Sequence, residues 1–393
     1  MERWRGGLIA AVLACLLSSA VSAATAPFSL PVPVPDRIGR AQIFDYRLKD
    51  KNILIGRRDF LWAAATTGPV VPGVYSTSYM TVDRDLDKSH DLAWYKANHP
   101  DWIVYGCDGQ PTHEFTGQYV NIDISNPAVR QALYKQGVVD AQAKRPYEAI
   151  GVDNLANTNG FYECGVRRDG AMHRLYSGQK LDPTFADQQA DWMRWLAPRV
   201  HARGLALTGN LNYGGADRAD FLKIARYLDI VLDEEGFERH CGPSQTDAAW
   251  LDRITLFRDL ARSKALISME YVCPTLAQIT PATIDWSLAN YLLMKGDRTY
   301  LALLPEELAA GVLYDFPELY LKIGRPMGAM DERGGVYFRR FERALALVNP
   351  SSTTSARFEL GREGWRDRTT RRLLAGPIEL APATAMVLVK AGA

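Results

Sequence analysis

Ala149-Ile150-Gly151-Val152-Asp153-Asn154 and Ile230-Val231-Leu232-Asp233-Glu234-Glu235-Gly236-Phe237 are two apolar runs that each stop at carboxylates before an irregular stretch. In an alternating β/α chain this is where reactive acids collect. Parallel strands deliver the side chains at their C-terminal ends to one shared rim, and the loops that follow build a pocket there. Two acids so placed suit acid/base or nucleophilic work.

Working outward from these runs, apolar strand-like segments alternate with amphipathic stretches from about residue 50 to 305, the pattern of a parallel sheet with helical crossovers. Eight strands are expected, at 60–64, 74–79, 102–106, 149–153, 205–211, 230–235, 266–271 and 300–304. Helix starts between them are explicit. Asn126 followed by Pro127 caps one helical stretch that runs toward Arg145, and Asp182 followed by Pro183 caps another. In the second, Phe185, Trp192 and Leu196 share a face, Pro198 is expected to kink it and Gly204 to stop it. After Gly334 the character changes to short strands at 336–340, 344–349, 356–360, 373–374 and 385–389, separated by Asn-Pro, Gly and Pro turns. The expected fold class is α/β, a (β/α)8 TIM barrel at 24–333 followed by a small C-terminal antiparallel β domain of sandwich type at 334–393.

The 393 residues are 47% hydrophobic and 23% charged, which suits a folded chain of one large domain and a small one. With 46 basic and 45 acidic residues the net charge is +1, so nothing points to nucleic acid or to an anionic membrane as partner. Residues 1–23 combine a basic start, a short apolar run from Leu8 to Leu17 and an Ala-Val-Ser-Ala site, the features of a secretory signal peptide. The apolar run is short for a bilayer span of about 20 residues, so no membrane insertion is expected after cleavage. A lipoprotein site at Cys15 would leave Leu16 and Leu17 on the mature chain and is disfavoured. The expected destination is secreted or periplasmic. Beyond the leader stand four cysteines, Cys107, Cys164, Cys241 and Cys273, an even number that favours two disulfides in an exported protein. Three pairings are open; the positions after strands favour Cys107 with Cys164 and Cys241 with Cys273. A zinc site would need close-spaced ligand pairs, which are missing.

Strand alternation assigns inward faces, because residues two apart share a face and the outer face must meet apolar helices. The fourth strand turns Gly151 and Asp153 inward, and the fifth turns Thr208, Asn210 and Asn212. In the sixth, Ile230 and Leu232 are expected outside, leaving Asp233 and Glu235 inside. In the seventh, Ser268 and Glu270 are expected to face the centre. A bulge would exchange Glu234 with Glu235. A lone acid at a strand end is more often a turn residue or helix cap, so the convergence of several strands is what suggests a site.

No zinc-protease, nucleophile-elbow, P-loop or dinucleotide-binding motif is present, and the histidines are scattered. No cofactor and no metal is indicated. Tyr75, Tyr79, Tyr105, Tyr162, Tyr213 and Tyr271 fall at or beyond strand ends, where aromatic faces and polar groups commonly hold sugar rings. Asp108, beyond the third strand, is a further expected contact.

Gly151-Val152-Asp153-Asn154, Gly209-Asn210-Leu211-Asn212 and Asp233-Glu234-Glu235-Gly236-Phe237 resemble the glycosidase-like barrels of hypothetical glycosyl hydrolase family fifteen, related to the endo-α-1,4-polygalactosaminidase barrels. The stretch from Tyr337 to Ser351 looks like the β domain that follows many glycosidase barrels. The resemblance implies a glycosidase with an Asp on the fourth strand and a Glu on the sixth as the working pair.

Residues and resemblance together lead to the expectation of an exported glycoside hydrolase acting on a poly- or oligosaccharide. Asp153 is the expected nucleophile or base and Glu235 the expected acid, its pKa raised by Asp233 and Glu270. Asn154, Asn210, Asn212, Asp233, Glu270, Tyr75 and Asp108 are the expected substrate contacts. Two rivals stand beside this reading. One is a carbohydrate-binding barrel without catalysis; the other is a metal-dependent phosphodiesterase or deacetylase using Asp153, Asp233, Glu235 and Glu270 as oxygen ligands.

Overall fold

A computed structural model describes residues 28–213, 218–307 and 311–392. The expected leader, with Cys15, lies outside the described residues. In chain order the first strands are β1 Gly39–Ile43, β2 Phe60–Trp62, β3 Tyr75–Ser76, β4 Met80–Thr81, β5 Val104–Gly106, β6 Ala149–Ala156, β7 Glu163–Arg168 and β8 Ala171–Arg174. They continue as β9 Ala206–Asn212, β10 Ile230–Asp233, β11 Glu238–Arg239, β12 Gly242–Pro243, β13 Ala265–Cys273 and β14 Thr299–Pro305. The α-helices are α1 Leu92–Asn98, α2 Pro127–Tyr134, α3 Ala141–Lys144, α4 Pro183–His201, α5 Arg218–Ala225, α6 Asp247–Leu260 and α7 Ile284–Met294.

Nine of these strands form one curled, parallel, TIM-barrel-like sheet in the order β3-β2-β1-β14-β13-β10-β9-β6-β4. Its two edge strands are neighbouring pieces of one segment. Tyr75 pairs with Phe60 of β2, while Thr77 bridges Ala149 of β6 and Met80 pairs with Val152. The tight passage of this segment explains Gly151: a Cβ there would come within 2.5 Å of the Ser78 carbonyl oxygen and 3.0 Å of the Trp62 ring.

One expected strand needs correction, and one strand of the sheet is unexpected. The run at 102–106 is not in the parallel sheet; as β5 it pairs antiparallel with β7, which pairs with β8 in a three-stranded arm. The parallel sheet instead takes in β1, whose Gly-Arg-Gln content hides it from an apolar-run search. Between β2 and β3 there is no helix.

The helices start where their caps predict. Asn126 Oδ1 accepts from the Ala128 N–H at 2.9 Å with Pro127 in the first turn, and Asp182 does the same for Thr184 at 3.0 Å. The α4 helix runs through Pro198, which sits in its last turn, and ends before Gly204 at φ 71°. Inside the sheet pack Ala149, Ala206, Ile230, Ala265, Ile267 and Tyr300, with Phe60 and Trp62. Outside, Ile150, Leu207, Val231 and Leu266 meet Trp192, Phe221, Trp250 and Leu288 of α4 to α7. Each fully buried large apolar side chain contributes roughly 1.5–3 kcal/mol, so this shell fixes the sheet that carries the rim.

The C-terminal strands are β15 Asp331–Arg333, β16 Val336–Arg340, β17 Ala344–Asn349, β18 Ala356–Glu359, β19 Trp365–Asp367, β20 Leu373–Leu374, β21 Pro377–Leu380 and β22 Thr384–Lys390. Two antiparallel sheets, β15-β16-β17-β22-β19-β20 and β18-β21, enclose Phe338, Leu347, Phe358, Trp365 and Leu388. The other face of β17 and β22 lies on α7, where Ala344, Ala346, Val348 and Val387 join the helix-side core.

Cys107 is bonded to Cys164 and Cys241 to Cys273, with Cα atoms 5.1 and 4.4 Å apart. The first bond ties the loop after β5 to β7, and the second ties the segment after β10 to the end of β13. Among the described residues no helix is long and apolar enough to cross a membrane.

Candidate active site

Asp153 lies near the C-terminal end of β6 at a break in the ladder, where Val152 pairs with Gly209 but Leu155 pairs with Leu211. The extra residue is accommodated by Asn154 in a left-handed conformation at φ 61°, a strained geometry that clusters at functional sites. The bulge aims Asp153 into the mouth. Three donors converge on its carboxylate: Tyr79 Oη at 2.7 Å, Asn154 Nδ2 at 3.0 Å and Asn210 Nδ2 at 2.7 Å.

Asn210 also reaches a second acid, donating from the same Nδ2 to Glu234 Oε2 at 2.5 Å. These two bonds place Asp153 Oδ1 and Glu234 Oε2 no more than 5.2 Å apart. Tyr271 Oη donates to Glu234 Oε1 at 2.9 Å, and the Glu234 N–H donates to Asn212 Oδ1 at 3.2 Å. Burial, and after it the negative charge of Asp153, raises the Glu234 carboxyl above the usual glutamate range. The Tyr79 and Tyr271 phenols are pushed far up, by burial first and by Asp153 and Glu234 respectively, so both remain donors.

Asp153, Asn210 and Asn212 therefore meet as the alternation predicts, and Asn154, which strict alternation would turn away, is brought onto Asp153 by the bulge. The sixth and seventh strands are the reverse of the expectation. Ile230 and Leu232 pair with Thr208 and Asn210, share their inward face, and leave Glu234 as the inward acid. Glu235 sits one step around, its side chain 44% exposed and 3.9 Å from Arg253. It lines a cleft of about 480 Å3 together with Asn154, Asn157, Phe161, Lys180 and Asn212; Asp153 and Glu234 do not line this cleft themselves, but their chain neighbours Asn154 and Glu235 do.

Asp233 is not in the mouth. It is buried on the outer face, where Arg253 of α6 bonds both of its oxygens at 2.5 and 2.6 Å and donates to the Tyr213 carbonyl. Glu270 is outside too, because Ile267 and Met269 take the inner face of β13. Glu270 Oε2 accepts the Phe237 N–H at 2.7 Å and the Glu238 N–H at 3.1 Å, so it holds the turn that follows Glu234. Gly236 makes that turn at φ 55°, and a Cβ there would collide with the Glu270 carboxylate.

Tyr75 is also displaced from the expectation. It lies inside the sheet near the start of β6, stacked on Phe60, with its hydroxyl on the Ser29 carbonyl at 2.8 Å. Asp108 caps a turn by accepting the Gln110 N–H at 2.9 Å and lines a separate cavity beside Cys107. Of the rim tyrosines, Tyr79 and Tyr271 orient the acids through their hydroxyls. The four acids weighed as metal ligands do not converge, since Asp233 and Glu270 face helices; among the described residues no group of three or more His, Cys, Asp or Glu is placed to hold a metal ion.

No family model matches this chain, and no curated protein matches it by sequence. Solved structures do match. A family GH13_31 enzyme superposes with a TM-score of 0.51 at 13% identity, over 90% of this chain and 99% of that one. A noncanonic maltogenic alpha-amylase from Thermotoga neapolitana gives 0.46 at 12% identity, covering 90% of this chain and 98% of the other. A GH31 dextranase from Flavobacterium johnsoniae complexed with glucose gives 0.45 at 11% identity, over 92% of this chain and 53% of its own. At these identities the likeness is one of fold alone.

Proposed function

We propose that this chain is a glycoside hydrolase that works with Asp153 and Glu234, on a (β/α)8 barrel closed through segment 75–81 and followed by a β domain from residue 334. The observation that carries the proposal is the Asn210 amide, whose single nitrogen joins Asp153 and Glu234 at the C-terminal ends of neighbouring strands. The resemblance of the strand-end motifs to the glycosidase-like barrels supports the same pair, with Glu234 in place of Glu235 as the sixth-strand acid.

The chemistry follows from the environments. Glu234, half-buried beside an anion, is held protonated to higher pH and suits the general acid that delivers a proton to the leaving glycosidic oxygen. Asp153, with three donors orienting its oxygens, is the nucleophile. The bound of 5.2 Å on the facing oxygens favours the shorter carboxyl separation of enzymes that retain configuration, roughly 5–5.5 Å, over the about 6.5–9.5 Å of those that invert it. Asp153 Oδ attacks the anomeric carbon as the C1–O bond breaks. Water, deprotonated by Glu234, then releases the sugar from Asp153. The cleft with Phe161, Lys180 and Asn212 is the place for the substrate. The leader at 1–23 and the two disulfides support an exported protein.

The test is a panel of poly- and oligosaccharides with product analysis. Asp153→Asn and Glu234→Gln each lower kcat/KM by on the order of 10^3-fold or more while the proteins stay folded, and Glu235→Gln costs less than about tenfold. Loss in Glu235→Gln with activity kept in Glu234→Gln would return the acid to the exposed glutamate. A product of inverted configuration refutes the covalent route alone.

A further inference from the structure

On the face opposite the carboxylate pair, where β13 and β14 begin, lies a cavity of about 330 Å3 between the sheet and the C-terminal strands. Six cations line it: Arg258, Arg262, Lys264, Lys295, Arg298 and Arg339. A single acid, Asp297, shares the lining. Outside it, Asp259 pairs with Arg258 at 3.0 Å and lies 3.8 Å from Arg262. The other four bond neutral carbonyls. Lys264 Nζ donates to Leu228 O, Lys295 Nζ to Val34 O and Gly296 O, and Arg298 Nε to Pro31 O. Arg339 donates to Leu292 O, Leu293 O and Lys295 O at the end of α7.

Capping of helix C-termini explains why Arg339 is here, since the last carbonyls and the negative end of the dipole favour a cation. It does not cancel the charge. A carbonyl satisfies a donor and leaves the net positive charge in place, so several partly buried cations repel across a small cavity. Burial, and then Arg339, pushes the Lys295 ammonium down to about 8; burial, and then Arg262, pushes the Arg339 guanidinium down to about 10.

We propose that this cavity is a binding site for a tetrahedral oxyanion, the phosphate or sulfate group of a small ligand. Guanidinium forks match such oxygens in pairs, and lysine ammonium groups add point charges. The volume lies at the lower end of the range of about 300–1,000 Å3 found for small-molecule pockets. The shared chemistry has two sources, a free ion or an ester on a sugar.

Sodium phosphate and a sulfated disaccharide, titrated separately into the purified full chain at fixed ionic strength by calorimetry, test the site. Saturable binding near one per chain is expected, and the Arg262→Gln/Arg298→Gln double variant should weaken it at least tenfold. Because Arg298 holds the Pro31 carbonyl, a thermal melt checks that variant. Should it not fold, Arg262→Gln, with a side chain 66% exposed, carries the same comparison. Tighter binding of the disaccharide than of phosphate assigns the site to a sulfated sugar, and equal or weaker binding assigns it to the ion; both support the proposal. No saturable heat from either probe, or unchanged affinity in the folded variant, overturns it. General stabilisation by salting-out acts on both proteins alike and is removed by the comparison.

Discussion

Asp153 and Glu234 on the inner face of the sheet, and Asp233 and Glu270 on its outer face, are the same residue types at the ends of neighbouring strands, yet they meet different partners. The inner acids are held by neutral donors, two phenols and two amides, and stand beside a cleft. The outer acids are sealed, one against a guanidinium and the other against backbone N–H groups. A buried carboxylate paired with a cation is a structural joint. A carboxylate kept among neutral donors beside a second one retains a proton to exchange.

The sharpest break of this contrast is at Asp233. Asp233→Ala strands the Arg253 guanidinium, itself 1% exposed, in the buried layer between β10 and α6. Removing one partner of such a pair costs about 3–5 kcal/mol, read as a fall in the denaturation midpoint. If Asp233→Ala melts like the parent but loses catalysis, Asp233 belongs with the inner set after all.

Glu270 tests the same contrast through pH. Burial raises its carboxyl to about 7 from an ordinary 4.5. A folded-state pKa raised above the unfolded one gives stability that is fully present below about pH 4.5 and is lost as pH rises through about 7. A tenfold change in proton affinity corresponds to about 1.4 kcal/mol, so the loss amounts to about 3 kcal/mol. Glu270→Gln keeps the acceptor for the Phe237 and Glu238 N–H groups and removes the titration. Urea unfolding of parent and variant between pH 4.5 and 8 should diverge upward in pH, the variant holding its stability; parallel curves would show that Glu270 does not titrate in that window.

How far the faces are legible depends on the strand. In β6 and β9 polar and apolar residues alternate, Gly151 and Asp153 against Ile150 and Val152, Thr208 and Asn210 against Leu207, and the inward set follows directly. Ile230-Val231-Leu232 is apolar throughout because both faces of that strand are covered, so its pattern carries no phase. Phase comes from the neighbour: Leu232 stands opposite Asn210, and the carboxylate two residues on is Glu234. That signal lies in pairing across 22 residues and not within the segment. The arm at β5 escapes a sequence reading for a related reason, since a short apolar run gives no indication whether its partner is parallel or antiparallel. The cysteine pairing, by contrast, follows from position after strands, and both bonds form as favoured.

The smallest effect concerns the proton itself. Tyr271 donates to Glu234 and so favours its ionised form, while burial and Asp153 oppose it. If Glu234 must be protonated to act, kcat/KM falls on the alkaline side as pH passes its pKa. Tyr271→Phe removes a donor to the anion, raises that pKa, and should move the alkaline limb upward by less than about one pH unit. An alkaline limb that stays in place in Tyr271→Phe would mean that the group titrating there is not Glu234, and the acid would have to be sought among residues that Tyr271 does not touch.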